Sequence, residues 1–191
     1  AADAVVILVA FATSYRLESR VFLEPDTAKK LTDSDPGPTA DAQLVAAAAR
    51  GYEALKLRHL DDHRALFGRV ELDLGGSSAG DLPTDERLRR YAAGAADPGL
   101  EALYVQFGRY LLIASSRPGG LPAGLQGIWN CHDQPPWGGD YHFNVNIQMN
   151  YYPAFSANLA ETFQPLADYL EAIRPAAEAL APAYIREHNP A

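Results

Sequence analysis

The chain has 191 residues, 48% of them hydrophobic, which is enough for one substantial domain or two small ones around a buried core. Its net charge of −8 and pI near 5.0, with no Lys or Arg between Arg117 and Arg174, argue against nucleic acid, because phosphate contacts require clustered cations. Cys131 is the only cysteine, so neither an intrachain disulfide nor a cysteine-based zinc site can be assembled.

The most apolar run, residues 4–12, is too short to span a bilayer and lacks the charged leader of a signal peptide, so no membrane partner is expected. The start without Met, almost directly into that run, is expected of a piece of a larger protein. Residues 5–15 are β-branched and aromatic and uncharged, and predict a buried strand whose partners lie elsewhere. Residues 24–39 combine three prolines, a glycine and three aspartates, the chemistry of a linker or a set of turns, with a domain boundary near Pro36-Gly37-Pro38.

From Ala40 the spacing of Leu44, Ala47, Ala48, Tyr52, Leu55 and Leu60 predicts one long amphipathic helix with Thr39 as its N-cap, ending at Phe67-Gly68. His59 and His63 lie one turn apart on it, the spacing of a metal pair, but no third ligand is evident and no metal is expected. Residues 70–74 alternate like a short strand, and residues 75–80 read as a flexible loop. A helix begins at Thr84 with Asp85 and Glu86 in its first turn. Asp97-Pro98 then supplies N-cap and N1 for a helix over residues 98–116, with Leu103, Phe107, Tyr110, Leu111 and Ala114 as its apolar face.

Residues 118–145 show no sustained period of either kind. A connection of that length inside a compact domain is functional or disordered, and its density of aromatics argues against disorder. Residues 129–155 hold seven of the nineteen aromatics, and residues 126–158 hold eight of the twelve Asn and Gln. Aromatic faces meet the axial hydrogens of sugars, and amides both donate to and accept from hydroxyls, so a neutral polyhydroxylated ligand fits this mixture better than an anion or a lipid. The plain alternative is a packed loop whose amides satisfy the backbone.

If extended, His142, Asn144 and Asn146 would emerge on one face while Phe143 and Val145 face the core. Asn146 could equally be the N-cap of the next helix, and His142 a neutral core ring. Helical character returns near Asn146 and over residues 163–185, where Pro153, Pro165, Pro175 and Pro182 must cap, kink or end the segments. Glycoside hydrolysis requires two carboxyl groups. Asp133, Asp140 and Glu161 are the nearby candidates, and none has the apolar flanks that raise a general acid's pKa.

Leu125-Gln126-Gly127-Ile128-Trp129-Asn130, Pro136-Trp137, Asp140-Tyr141-His142 and Asn144-Val145-Asn146-Ile147-Gln148-Met149-Asn150-Tyr151 together resemble the signature of glycoside hydrolase family 95. That family includes α-1,2-L-fucosidases and some α-L-galactosidases. The resemblance extends through Leu66-Phe67-Gly68-Arg69-Val70, Asp81-Leu82-Pro83-Thr84 and Gly108-Arg109-Tyr110-Leu111.

It implies a mainly α fold: the end of an N-terminal β-sandwich (residues 1–23), a linker with a long helix (24–83), and the first part of an (α/α)6 toroid (84–191). It also implies an inverting mechanism, with an attacking water held by Asn144 and Asn146. The general acid Glu and the assisting Asp are expected after residue 191, so this segment alone would be inactive. His142, Gln126, Trp129, Asn130, Trp137, Asp140 and Tyr141 are implied in sugar binding, with His142 favouring fucose over galactose. A fucosylated oligosaccharide or polysaccharide is the implied partner, and no cofactor is implied. A helical-toroid polysaccharide lyase and a non-catalytic carbohydrate-binding module are the alternatives, the former weakened by the absence of Lys and Arg around the loop.

Overall fold

The structure, a computed structural model, describes residues 3–31, 34–76 and 78–188. Its regular elements are helices: α1 (Arg20–Leu23), α2 (Gly37–Arg50), α3 (Tyr52–Phe67), α4 (Thr84–Ala92), α5 (Pro98–Ser115), α6 (Asn146–Tyr151), α7 (Pro153–Ser156) and α8 (Gln164–His188), with 3₁₀ turns at Thr27–Lys29, Pro136–Gly139 and Ala160–Phe163. The fold is mainly α. Among the described residues no helix is long and apolar enough to cross a membrane.

Two compact units form, one from Ala1–Asp62 and Ala167–Ala191, the other from His63–Leu166. In the first, α1 lies against the N-terminal half of α8: Val21 is buried, Phe22 meets Tyr169 edge-on at 5.4 Å, and the Ser19 hydroxyl donates to the Ala172 carbonyl at 2.8 Å. Pro175 and Pro182 lie inside α8, where each lacks the N–H that would otherwise bond the carbonyl four residues earlier.

The expected strand over residues 5–15 does not form, and its side chains are exposed, Ile7 by 80% and Phe11 by 86%. Apolar β-branched composition yields a strand only when a neighbouring strand completes the ladder, and the described residues supply none. The expected long helix is two helices. Gly51, at φ 74° and ψ 160°, takes a conformation that residues with a Cβ avoid, and it breaks the rod between α2 and α3. The helical run also starts before Thr39, at Gly37. The Asp35 carboxylate accepts from the Gly37 N–H at 2.8 Å, and Pro38 sits in the first turn, where its missing donor costs nothing. Positions 32–33 of the expected linker and 77 of the expected loop lie outside the described residues.

The second unit holds the core. Leu66 from α3, Leu112 and Ile113 from α5, Ala123, Ile147 and Tyr151 from α6, Ala154 from α7, Leu159 and Leu166 form one buried cluster. The expected helix starts at Thr84 and Asp97-Pro98 hold. Asp97 accepts from the Leu100 N–H at 2.9 Å and clamps Arg87 of α4 through two bonds of 2.8 and 2.9 Å.

The buried face of α5 differs from the expected one. Leu100, Arg109, Leu112, Ile113 and Ser115 face inward, whereas Leu103, Phe107 and Tyr110 are about half exposed. α5 is apolar on more than one side, and the row that wins contains a polar residue whose needs the interior meets. Arg109 donates to the carbonyls of Phe67 (2.8 Å), Leu66 (3.1 Å), Val70 (3.1 Å) and Ala157 (3.3 Å), and to the Gln106 side chain (2.7 Å). It caps the open C-terminal end of α3, and burial pushes its pKa down. The same bonds account for the absence of the strand expected over residues 70–74. The Val70 carbonyl is taken by Arg109 and Gln106, and Asp73 turns back to accept from the Gly75 N–H.

Candidate active site

Residues 118–145 fold without a sustained helix or strand, as their lack of period predicts. The first arm is a tight turn. Gly124 and Gly127 exchange both backbone hydrogen bonds at 3.0 Å, so Leu125 and Gln126 occupy its tip, and the Trp129 N–H donates to the Gln126 carbonyl. Gly127 has φ 65°, and a Cβ there would lie 2.7 Å from the Trp129 ring, so the indole packs directly over the backbone. Asn130 and His132 form a local pair: the amide donates to the His132 carbonyl and accepts its N–H.

The second arm carries Trp137. This residue has φ 59° and ψ 27°, a left-handed conformation disfavoured for a residue with a Cβ, and Gly138 and Gly139 continue it at φ 68° and 70°. The result is an indole that is 77% exposed. His142 lies edge-on to it, centroids 6.0 Å apart, and its Nε2 donates to the Trp137 carbonyl at 3.3 Å in the tautomer protonated there. Gln126 reaches across from the first arm to donate to the Pro136 carbonyl at 3.4 Å. Asp140 is exposed beside this turn, and the Tyr141 hydroxyl donates to the Pro122 carbonyl at 2.8 Å.

The extended conformation expected for residues 142–146 is absent. Residues 143–145 form a turn, closed by the Ile147 N–H donating to the His142 carbonyl at 3.0 Å, and Phe143 and Val145 are exposed rather than in the core. Ile147 carries the apolar anchor instead, at 2% exposure, within the buried cluster. Asn146 is the first helical residue of α6, and Val145, not Asn146, occupies the cap position. The Asn144 side-chain oxygen accepts from the Val145 N–H, which fixes the orientation of its amide. Gln148 closes the same turn by donating to the Phe143 carbonyl at 2.6 Å.

Gln126, Trp137, His142, Asp140 and Tyr141 are thus connected through hydrogen bonds, ring contact or adjacency. Asn130 bonds locally, and Trp129 and Gln126 line a cleft of about 360 Å³ together with Asn150, Leu111 and Pro153. A second cleft, of about 530 Å³, is lined by Arg117, Leu121, Ile128 and Tyr141 among others. Neither lining includes His142, Asn144 or Asn146, and both asparagines open to solvent.

The carboxyl groups differ in environment. Asp133 and Asp140 are exposed. Glu161 is paired with Arg69 at 2.7 Å, and the hydrogen bond from that guanidinium holds its carboxyl below the ordinary value, opposite to the shift a general acid requires. His63 stacks on Phe67 at 5.1 Å and meets Tyr110 edge-on at 5.9 Å, an aromatic packing role.

Four residues that hold the site are absent from the sequence-based candidates. Tyr151 accepts from the Ala123 N–H (2.8 Å) and shares a 2.7 Å hydrogen bond with Ser116. Ser116 spends its own proton on the Thr162 carbonyl (2.8 Å), so the Tyr151 hydroxyl is the donor to Ser116. Burial raises the Tyr151 pKa, which keeps the phenol protonated for that role. Asn150 donates to the Ala123 and Gly124 carbonyls at 3.3 and 2.9 Å, and Arg109 fastens Ala157. The one local signal was residue type, polar residues set among apolar ones: Arg109 in α5, Ser116 at its C-cap, and Asn150-Tyr151 at the end of α6.

The described helices frame a loop rich in aromatics and amides, side chains suited to a neutral polyhydroxylated ligand. Over residues 51–189 the chain matches the glycosyl hydrolase family 95 catalytic domain, and it belongs to that family. It is 44% identical over 144 residues to alpha-L-fucosidase 2 of Arabidopsis thaliana, a match covering 73% of this chain and 17% of the relative. It is 42% identical over 125 residues to the probable alpha-fucosidase A of Aspergillus niger, covering 65% and 16%, and 34% identical over 142 residues to that of Aspergillus oryzae, covering 72% and 19%. The chain therefore spans under a fifth of the length of these relatives.

Proposed function

We propose that the protein carrying this chain is an inverting α-L-fucosidase acting on terminal α-linked, α-1,2 above all, L-fucose of glycans. In this reading the chain contributes the water-positioning asparagines and part of the sugar-binding surface. The observation that carries the reading is the corner formed by Trp137 and His142. A backbone in a costly left-handed conformation presents an exposed indole with a histidine edge-on beside it, and a strained turn persists where the surroundings over-determine it for use. The indole offers a face to the apolar side of a sugar ring, while His142 and Gln126, both hydrogen-bonded to this turn, bring polar groups to its hydroxyls.

Asn144 and Asn146 orient the attacking water. An amide has no useful basicity at neutral pH, so its contribution is geometric: its oxygen accepts a water proton and aims the lone pair at the anomeric carbon. The Asn144 oxygen already accepts the Val145 N–H, which holds the amide in one orientation and leaves its second lone pair for water. A carboxylate outside the described residues draws the proton from that water, and a carboxylic acid protonates the departing oxygen. The water forms its bond to carbon as the glycosidic bond breaks, and the configuration inverts.

The test is proton NMR of the full natural chain acting on 2′-fucosyllactose. β-L-Fucose appearing first, before mutarotation, is the expected result. The α anomer appearing first overturns inversion, and release of L-galactose but not fucose from matched substrates moves the specificity to α-L-galactosides.

A further inference from the structure

Three consecutive residues, Pro122, Ala123 and Gly124, are gripped through their backbones by three side chains of the segment that carries the asparagines. Tyr141 donates to the Pro122 carbonyl, Tyr151 accepts from the Ala123 N–H, and Asn150 donates to the carbonyls of Ala123 and Gly124. The Gly124 carbonyl has a second role, because it also accepts the Gly127 N–H that closes the turn bearing Gln126, on which Trp129 and Asn130 follow. Asn150 therefore holds the atom from which the first arm is built. α6 itself is anchored separately, by Ile147 and by Tyr151, each 2% exposed.

We propose that Asn150 is a positioning residue for the site. It sets the arm of Gln126, Trp129 and Asn130 at a fixed distance from the start of α6, where Asn144 and Asn146 stand. The proposal rests on the reading of this site as a fucoside site. Loss of the Asn150 amide frees the arm from Gly124 onward while Tyr151 keeps α6 in place. Sugar contacts made by the arm then weaken, and the water held at the start of α6 does not move. Those contacts serve bound substrate and transition state alike, so their loss falls on KM.

The experiment uses the full natural chain with Asn150→Ala and with Asn150→Asp, which keeps the shape but turns carboxylate oxygens toward two carbonyls. KM for 2′-fucosyllactose rises about tenfold with kcat within about threefold, the signature of lost uniform binding. Amide hydrogen exchange rises in residues 124–130 and stays low in 147–151. A role in folding alone would lower the melting temperature and leave KM of the folded fraction unchanged. Folded variants with unchanged KM and unchanged exchange in 124–130 overturn the proposal. Asn146→Ala, run in parallel, separates the two ideas: if it retains full turnover the reading of the site fails. The exchange measurement then decides Asn150 by itself, raised exchange in 124–130 supporting its hold on the arm and unchanged exchange refuting it.

Discussion

Tyr151→Phe removes one oxygen from the interior and changes almost nothing else, since Phe fills the same volume and leaves no cavity. The loss is nevertheless expected to be large. Ala123 is 4% exposed, and its N–H has the Tyr151 oxygen as partner at 2.8 Å, so without it a donor is left dry. A buried unsatisfied donor costs about 1–3 kcal/mol, and Ser116, fully buried, loses its incoming proton as well. The sum is a destabilisation of about 2–3 kcal/mol. Urea unfolding of the full natural chain followed by circular dichroism reads this, with Tyr152→Phe, 63% exposed, as a control expected within about 0.5 kcal/mol of the parent. Amide exchange at Ala123 should accelerate in parallel. A loss below about 0.5 kcal/mol with Ala123 exchange unchanged would refute the reasoning, because the hydroxyl would then not be satisfying that donor.

Arg109→Lys retains the charge but replaces a planar fork by a point charge that cannot reach Leu66, Phe67, Val70 and Ala157 together. Unfolding experiments should show a loss of about 2–4 kcal/mol, and equal stability would show that the carbonyls find other donors. The Glu161–Arg69 pair gives a pH dependence with a definite sign. Its carboxyl is depressed in the folded state, so its contribution is present above the unfolded value and is lost as pH falls through the lower folded value. Glu161→Gln should therefore lower the melting temperature at neutral pH, with the gap to the parent closing as pH falls, and a gap that widens toward acid would contradict the assignment.

Much of the candidate site stood out in the sequence because its residues are unusual in kind. Two tryptophans, four amides and two histidines in an aperiodic stretch cannot be mistaken for a core helix, and the capping signals at Thr84 and Asp97-Pro98 are local chemistry that needs no tertiary partner. What escaped reading depends on contacts distant in sequence. The run over residues 5–15 has strand composition, but pairing is a property of two segments. The inward face of α5 is decided by Arg109 meeting carbonyls 39 to 48 residues away, which no periodicity within α5 reveals. Asn144 and Asn146 alternate in sequence, yet the Ile147 N–H finds the His142 carbonyl and winds the stretch into a turn, so alternation did not mean extension. Gly51 marks the opposite case: a single glycine in a helical pattern is tolerable, and only its φ of 74° makes it a break.

The most direct test of the central claim is fucose release from 2′-fucosyllactose by the full natural chain, compared with folded Asn144→Ala and Asn146→Ala variants whose sugar binding is measured separately. Turnover falling at least about a hundredfold in both, with binding retained, is the result expected if these amides orient the attacking water. Turnover at the parent's level in folded variants would contradict it.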